Sequence, residues 1–150
     1  MKTAESSEQA EVMTNLNRFD ELDFEAFNKQ NWELFNQIHA GDVTVVFPDG
    51  HKTNGIKKHD DDMKAMFAWA PDLKVVSHPI KFGACGWTVV TGILTGTFTR
   101  PMTLPDGTTV QPTGRSFTLP MCTVAHWKDG RIVEEQLYWD SGAMMKQIGV

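Results

Sequence analysis

The sequence predicts an α+β fold, and three observations carry the prediction. Apolar residues recur at helical spacing up to Pro71; alternating, β-branched patterning takes over after it; and tight-turn residues join the later segments, so neighbouring strands run antiparallel. The 150 residues suit one domain, 1–150, with the polar residues 1–10 expected to form a disordered tail.

Each element follows from its local pattern. After Ser6-Ser7, a helix is expected with Val12, Leu16 and Phe19, then Phe24 and Phe27, on one side. Asn31 is a capping residue for a short second helix carrying Trp32, Phe35 and Ile38, stopped at Ala40-Gly41. Val43 to Phe47 reads as a strand, and Pro48-Asp49-Gly50 turns it into a short return strand ending near Gly55. Met63, Met66, Phe67 and Ala70 give a third helix from Ile56, ended by Pro71. Its run His59-Asp60-Asp61-Asp62 reads as a solvated face, with Asp60 and Lys64 in the favourable i,i+4 order.

Leu73, Val75, Ile80 and Phe82 alternate around a break at His78-Pro79. Trp87 to Thr99 is a Thr-rich strand, with Gly92 and Gly96 where a bent strand needs room. A proline-containing loop precedes a strand from Arg115 to Trp127, and Lys128-Asp129-Gly130 reads as a three-residue hairpin loop. The partner strand ends near Tyr138, and Ser141 to Ile148 forms a short final helix.

Composition narrows the function. Hydrophobic residues make up 41%, charged residues 22%, and the net charge is −5 with a mean hydropathy of −0.31. Phosphate binding needs clustered cations, and the densest basic run is Lys57-Lys58, so no nucleic-acid partner is expected. No apolar run approaches membrane length, and the polar start is unlike a secretion signal; the expected setting is cytoplasmic, without a membrane partner. Cys85 and Cys122 make no disulfide framework, and Cys85 reads as a small buried thiol. The sequence contains no CxxC, HxH, HExxH, GxGxxG, Walker or GxSxG pattern, so neither a metal nor an organic cofactor is expected.

The hairpin sets the faces. With a three-residue loop, paired residue numbers sum to 258 and odd positions share one face. That face carries Phe117, Leu119, Met121, Thr123, Ala125, Val133, Glu135, Leu137 and Trp139; it is the more apolar, so it meets the helices. The other face carries Cys122, His126, Gln136 and Tyr138 and is left for self-association.

A family resemblance rests on a series of motifs: Asp42-Val43 with Pro48-Asp49-Gly50, Trp69-Ala70-Pro71-Asp72-Leu73, Gly96-Thr97-Phe98, Pro112-Thr113-Gly114-Arg115, and Asp129 to Glu134 through Asp140 to Gln147-Ile148-Gly149. In order and spacing the chain resembles the SnoaL-like polyketide cyclases of the nuclear-transport-factor-like superfamily. The resemblance implies a cone: a curved, mostly antiparallel sheet wrapped on N-terminal helices around a buried pocket, often in a homodimer. It also implies aldol-type cyclisation without a cofactor, by an Asp and a His on the last two strands. Counted from the Asp-Gly turn, those positions hold Leu137 and Thr123, neither of which exchanges protons at neutral pH.

Acid/base work is therefore assigned to Asp140 and Glu135. Asp140 ends the last strand, where it is either the cap of the final helix or a carboxylate raised in pKa by an apolar setting. Glu135 lies on the pocket face, between catalysis and a solvated rim. The expected substrate pocket comprises His78, Trp69, Trp87, Phe117, Leu119, Met121, Thr123, Leu137 and Trp139. His78, before Pro79, is either aimed into the cavity or a satisfied structural histidine; His126 belongs to the outer face and His51 to the surface. The expected ligand is a small hydrophobic carbonyl compound, either isomerised, cyclised or cleaved, or simply bound by a module that has lost the Asp/His pair.

Overall fold

The computed structural model describes residues 4–150. Helix α1, Ala4–Glu21, passes directly into a π-helical turn, Leu22–Phe27, marked by the Asn28 N–H donating to the Asp23 carbonyl at 2.9 Å. Residues 4–10 of the expected disordered tail are thus helical, and the remainder of that tail lies outside the described residues. Helix α2, Trp32–Ile38, begins where expected: the Asn31 side chain accepts from the Leu34 N–H. Strand β1, His39–Val46, starts at once, so Ala40-Gly41 lie in a strand and the helix ends earlier than its sequence suggests. Strand β2 is Lys52–Asn54 and helix α3 is Ile56–Trp69.

The remaining strands are β3 (Lys74–Ser77), β4 (Lys81–Ala84), β5 (Trp87–Thr97), the small pair β6 (Met102–Thr103) and β7 (Thr109–Val110), β8 (Ser116–Lys128) and β9 (Arg131–Trp139). Helix α4, Ser141–Ile148, closes the chain, as the sequence predicts. The main sheet runs β2-β1-β9-β8-β5-β3, with β4 also on β5; among the described residues only the β1–β9 pair is parallel. The sheet is curved and open, and its inner face holds the helices, an α+β cone. Among the described residues no helix is long and apolar enough to cross a membrane.

The β8–β9 hairpin corrects the expected loop while preserving its consequence. Lys128 pairs with Arg131 around a two-residue Asp129-Gly130 turn, both with positive φ (52° and 74°). A two-residue turn alone would put the wrong face of β9 inward. A bulge at Val133 restores it: Trp127 faces Ile132, but His126 faces Glu134. From there to Met121–Trp139 the odd positions share the inner face, as expected. Val133 itself is only half-buried, and Ile132 and Trp127 supply the core there.

Gly92 and Gly96 make room inside β5. A Cβ on Gly96 would lie 2.8 Å from the Phe117 ring, and one on Gly92 would lie 3.1 Å from Met121. The close approach lets large inner side chains of β8 lean across β5, which an open cone requires.

Candidate functional site

The inner face and the helices enclose a mainly apolar cavity of about 50 Å³. Phe19, Leu22, Phe27, Phe35, Met63 and Met66 line it from the helices, and Val75, Leu94, Met121, Thr123, Leu137 and Trp139 from the sheet. Its polar groups are Asp23, His59, Thr123 and Glu135.

Glu135 is the best-defined of these. It lies between Ala125 and Val45, both fully buried, so their small or branched side chains leave the space beneath it to the helices. Two histidines fill that space. His39 Nε2 lies 2.8 Å from Glu135 Oε1, and His59 Nε2 lies 3.6 Å from Oε2. Glu135 is only 4% exposed, so the carboxylate does not reach a solvated rim. Burial opposes its charge, but the charge and hydrogen bond of His39, followed by the nearby His59 ring, hold its pKa well below the ordinary carboxylate range.

His39 sits where α2 meets β1, and its Nδ1 lies 2.7 Å from the Phe35 carbonyl. With a carbonyl at one nitrogen and a carboxylate at the other, the ring donates from both and is an imidazolium. Burial disfavours that charge; Glu135 outweighs it and raises the pKa. Phe35 packs on both rings, at 4.5 Å from His39 and 5.2 Å from His59. Buried His59 Nδ1 and Asp60 Oδ1 have no hydrogen-bond partner.

The expectation for His59 to Asp62 is therefore corrected. His59 and Asp60 turn inward at 2% and 6% exposure, and the helix face that meets water is occupied by Asp61. Asp62 takes the surface pairing, from Lys58 at 3.0 Å and Thr53 Oγ1 at 2.6 Å, whereas Lys64 lies over the Trp32 ring.

One donor atom each from His39, His59 and Glu135 falls within a 4.8 Å cluster, the residue types of a two-histidine, one-carboxylate metal set. The direct His39–Glu135 bond occupies that geometry, and His39 Nδ1 is also engaged, so a cation would have to part the pair.

Asp140 falls outside the cavity. It is exposed, and its Oδ1 accepts from Ala143 N–H at 2.8 Å, the cap of α4. Of the expected pocket residues, Met121, Thr123, Leu137 and Trp139 line the cavity. Phe117, Leu119 and Trp69 are buried core away from it, with Trp69 packed on Phe98 and Phe117. Trp87 stacks on His126 at 4.4 Å, on the outer face, because odd positions of β5 point outward. His78 stands behind the cavity wall: its Nε2 bonds to cavity-lining Asp23 at 2.7 Å. His51 is exposed and stacks on Phe47. Cys85 is exposed rather than buried, in a turn with φ 52°; hydrogen bonding to Glu8 raises its thiol pKa and disfavours the nucleophilic thiolate.

Asp23, His39 and His59 escaped sequence reasoning because they come from three different elements and no spacing links them. The available signal was a helical one: His59 follows Phe35-side apolar spacing through Met63, Met66 and Phe67, and so shares the buried side of α3.

Comparison with known proteins agrees with this architecture. The model of the SnoaL-like polyketide cyclase family matches residues 19–148. A candidate SnoaL-like polyketide cyclase from Jannaschia sp. CCS1 superposes with a TM-score of 0.82 at 22% identity, covering 93% of this chain and 94% of that one. IdmH, a candidate polyketide cyclase from Streptomyces antibioticus, gives 0.76 at 23% identity, covering 91% and 99%. A protein of ketosteroid isomerase-like fold from Catenulispora acidiphila, solved with trimethylamine, gives 0.70 at 16% identity, covering 91% and 92%. No curated protein matches the sequence.

Proposed function

The chain belongs to the SnoaL-like polyketide cyclase family, and from that premise we propose that it is a cofactor-independent cyclase, isomerase or lyase that moves protons on a hydrophobic carbonyl compound of polyketide or terpenoid type. The observation that carries this reading is buried Glu135 on the cavity wall, bonded to His39 and facing His59. A carboxylate held this firmly in its charged form is a weak base; its part is to orient and polarise His59, whose ring borders the cavity. His59 then donates to the carbonyl oxygen as negative charge grows there. The apolar walls exclude water and strengthen that interaction. Met63, Met66 and Met121 are flexible enough to open the narrow cavity to a larger hydrocarbon frame.

A second reading has its own observation. Leu137 and Thr123, which stand at the positions of the family's acid/base pair, both line the cavity without ionising, as a non-catalytic binding module would have them.

Turnover and binding separate the two. A panel of polyketide and terpenoid ketones is offered to the wild type and to Glu135→Gln, with occupancy followed by the methyl signals of the cavity methionines. The enzyme reading expects wild-type turnover that falls about 100-fold or more in Glu135→Gln while binding persists. Occupancy of the wild type without turnover establishes the binding module.

A further inference from the structure

The cavity has a second ionisable edge that the Glu135 cluster leaves unexplained. Asp23 lines it from the π-helical turn, among Phe19, Leu22 and Phe27. Its Oδ2 lies 2.7 Å from His78 Nε2; His78 Nδ1 lies 2.7 Å from Asp20 Oδ1; and Lys81 Nζ donates to Asp20 Oδ2 at 2.7 Å. The four residues form a continuous series from the cavity to an exposed lysine. Both nitrogens of His78 face carboxylates, so the ring donates twice and is an imidazolium. Its side chain is 2% exposed, and Phe24 and Phe19 hold the ring at centroid distances of 4.5 and 5.6 Å.

Local geometry explains the pairing. Asp20 and Asp23 are three residues apart at the α1–π junction, so both reach one side of the helix, and His78 enters between them from the break after β3. π-Helical turns widen a helix and re-aim its side chains, frequently at functional sites.

We propose that Asp23 is the general base of this cavity, with His78 and Asp20 as positioning residues that link it to the surface, and that the substrate is a small apolar ketone or ester bearing a C–H next to its carbonyl. The inference rests on the acid/base reading above and adds its missing half. Asp23 takes the proton; the C–H electron pair becomes the C=C bond of an enolate, and the carbonyl π pair moves to oxygen, where His59 donates a hydrogen bond. Return of the proton to the same or another carbon restores the carboxylate, so no oxidant or co-reactant is consumed. Burial first of all raises the pKa of Asp23 despite His78, and a more basic carboxylate is a better proton acceptor.

The test is hydrogen–deuterium exchange in D2O, read by loss of the α-proton NMR signal, on apolar ketones from cyclohexanone to 2-tetralone. The wild type is expected to accelerate exchange over buffer, and Asp23→Asn to reduce the acceleration about 100-fold or more. Asp20→Asn should lower the acceleration about 10-fold, less than Asp23→Asn does, and move the acid limb of the pH profile to lower pH, because the Asp20 charge is one of the groups that raise Asp23. The groups around Asp23 are His78 and Asp20 behind it and Glu135 and His59 on the cavity wall; Asp20 and Glu135 are both held charged below the ordinary carboxylate range, so acid protonates Asp23 before either of them. Should Asp23→Asn not fold, the wild-type profile decides, and a rate that does not fall on acidification overturns the proposal. Undiminished exchange by folded Asp23→Asn overturns it too. Loss in Asp23→Asn with exchange retained in Glu135→Gln supports Asp23 and removes the role given to Glu135; the opposite pattern removes Asp23 alone. No acceleration by the wild type overturns both.

Discussion

Asn28 holds Val75 by both of its backbone groups: Asn28 Oδ1 accepts from the Val75 N–H and Nδ2 donates to the Val75 carbonyl, each at 2.8 Å. One side chain thus replaces a missing ladder partner and fastens the π-helical turn to β3, three residues before His78. The register of Asp23 against His78 depends on this clamp.

Asn28→Ala removes two hydrogen bonds worth about 1 kcal/mol each, so chemical denaturation should show a loss of roughly 2 kcal/mol. The His78 ring signals should broaden at the same time, because the strand that carries the ring loses its anchor. Unchanged His78 resonances would show that the aspartates alone fix the ring.

Stability should fall as pH rises through neutrality. His39 and His78 have folded pKa values above the ordinary 6.5; burial opposes both shifts, and Glu135 in one case and Asp23 with Asp20 in the other override it. Below 6.5 both states are protonated and the full contribution is present; above it the unfolded chain gives up its protons first, and the contribution is lost on the way to the folded values. Glu135 is depressed below the ordinary 4.5, so its contribution is present above that and lost on acidification. Melting temperatures should therefore peak in mildly acid buffer and decline towards pH 9, a decline that Glu135→Gln makes shallower. Glu135→Ala, which strands buried His39, should cost about 3–5 kcal/mol.

Asp140 is expected to act through the helix and not through chemistry. Asp140→Asn should keep both stability and turnover, since Asn caps about as well, and Asp140→Ala should lose roughly 1 kcal/mol with turnover per folded molecule unchanged. A drop in turnover in Asp140→Asn, measured at a temperature where it is folded, would return this residue to the chemistry.

The outer face of the sheet is the expected surface for a homodimer. Phe82 at 58% and Tyr138 at 51% exposure lie on it, Phe82 opposite Val89, which in turn faces Val124. Light scattering at micromolar concentration should give twice the 16.8 kDa chain mass, and Phe82→Asp with Tyr138→Asp should halve it. A monomer mass for the wild type counts against the assembly.

Local rules carried the sequence reading furthest where one residue decides the structure. Asn31 and Asp140 both cap as their types predict, Pro71 ends α3, and parity along β8 and β9 puts Thr123, Glu135 and Leu137 inside. The pairing around Glu135 was beyond such rules. Whether its carboxylate meets water or two histidines depends on how α2 and α3 pack beneath β9. His59 and Asp60 misled for a related reason: a run of charged types signals a wet surface on average, while the helix position of each residue decides its own burial. The expectation of Trp69 and Trp87 in the pocket rests on size, which does not distinguish core, cavity and outer face.

The Val133 bulge also determines how the hairpin tolerates changes in chain length. Val133 is the extra residue between Ile132 and Glu134, whose partners Trp127 and His126 are adjacent in β8. Deleting it yields an unbroken ladder with Glu135, Leu137 and Trp139 still facing the helices, at the cost of some local twist. Deleting one residue of the Asp129-Gly130 turn gives no such ladder, and compensation by slippage would turn the carboxylate out to solvent. Descendants of this gene can therefore shorten at position 133 and keep their interior, whereas the same loss four residues earlier turns the strand inside out.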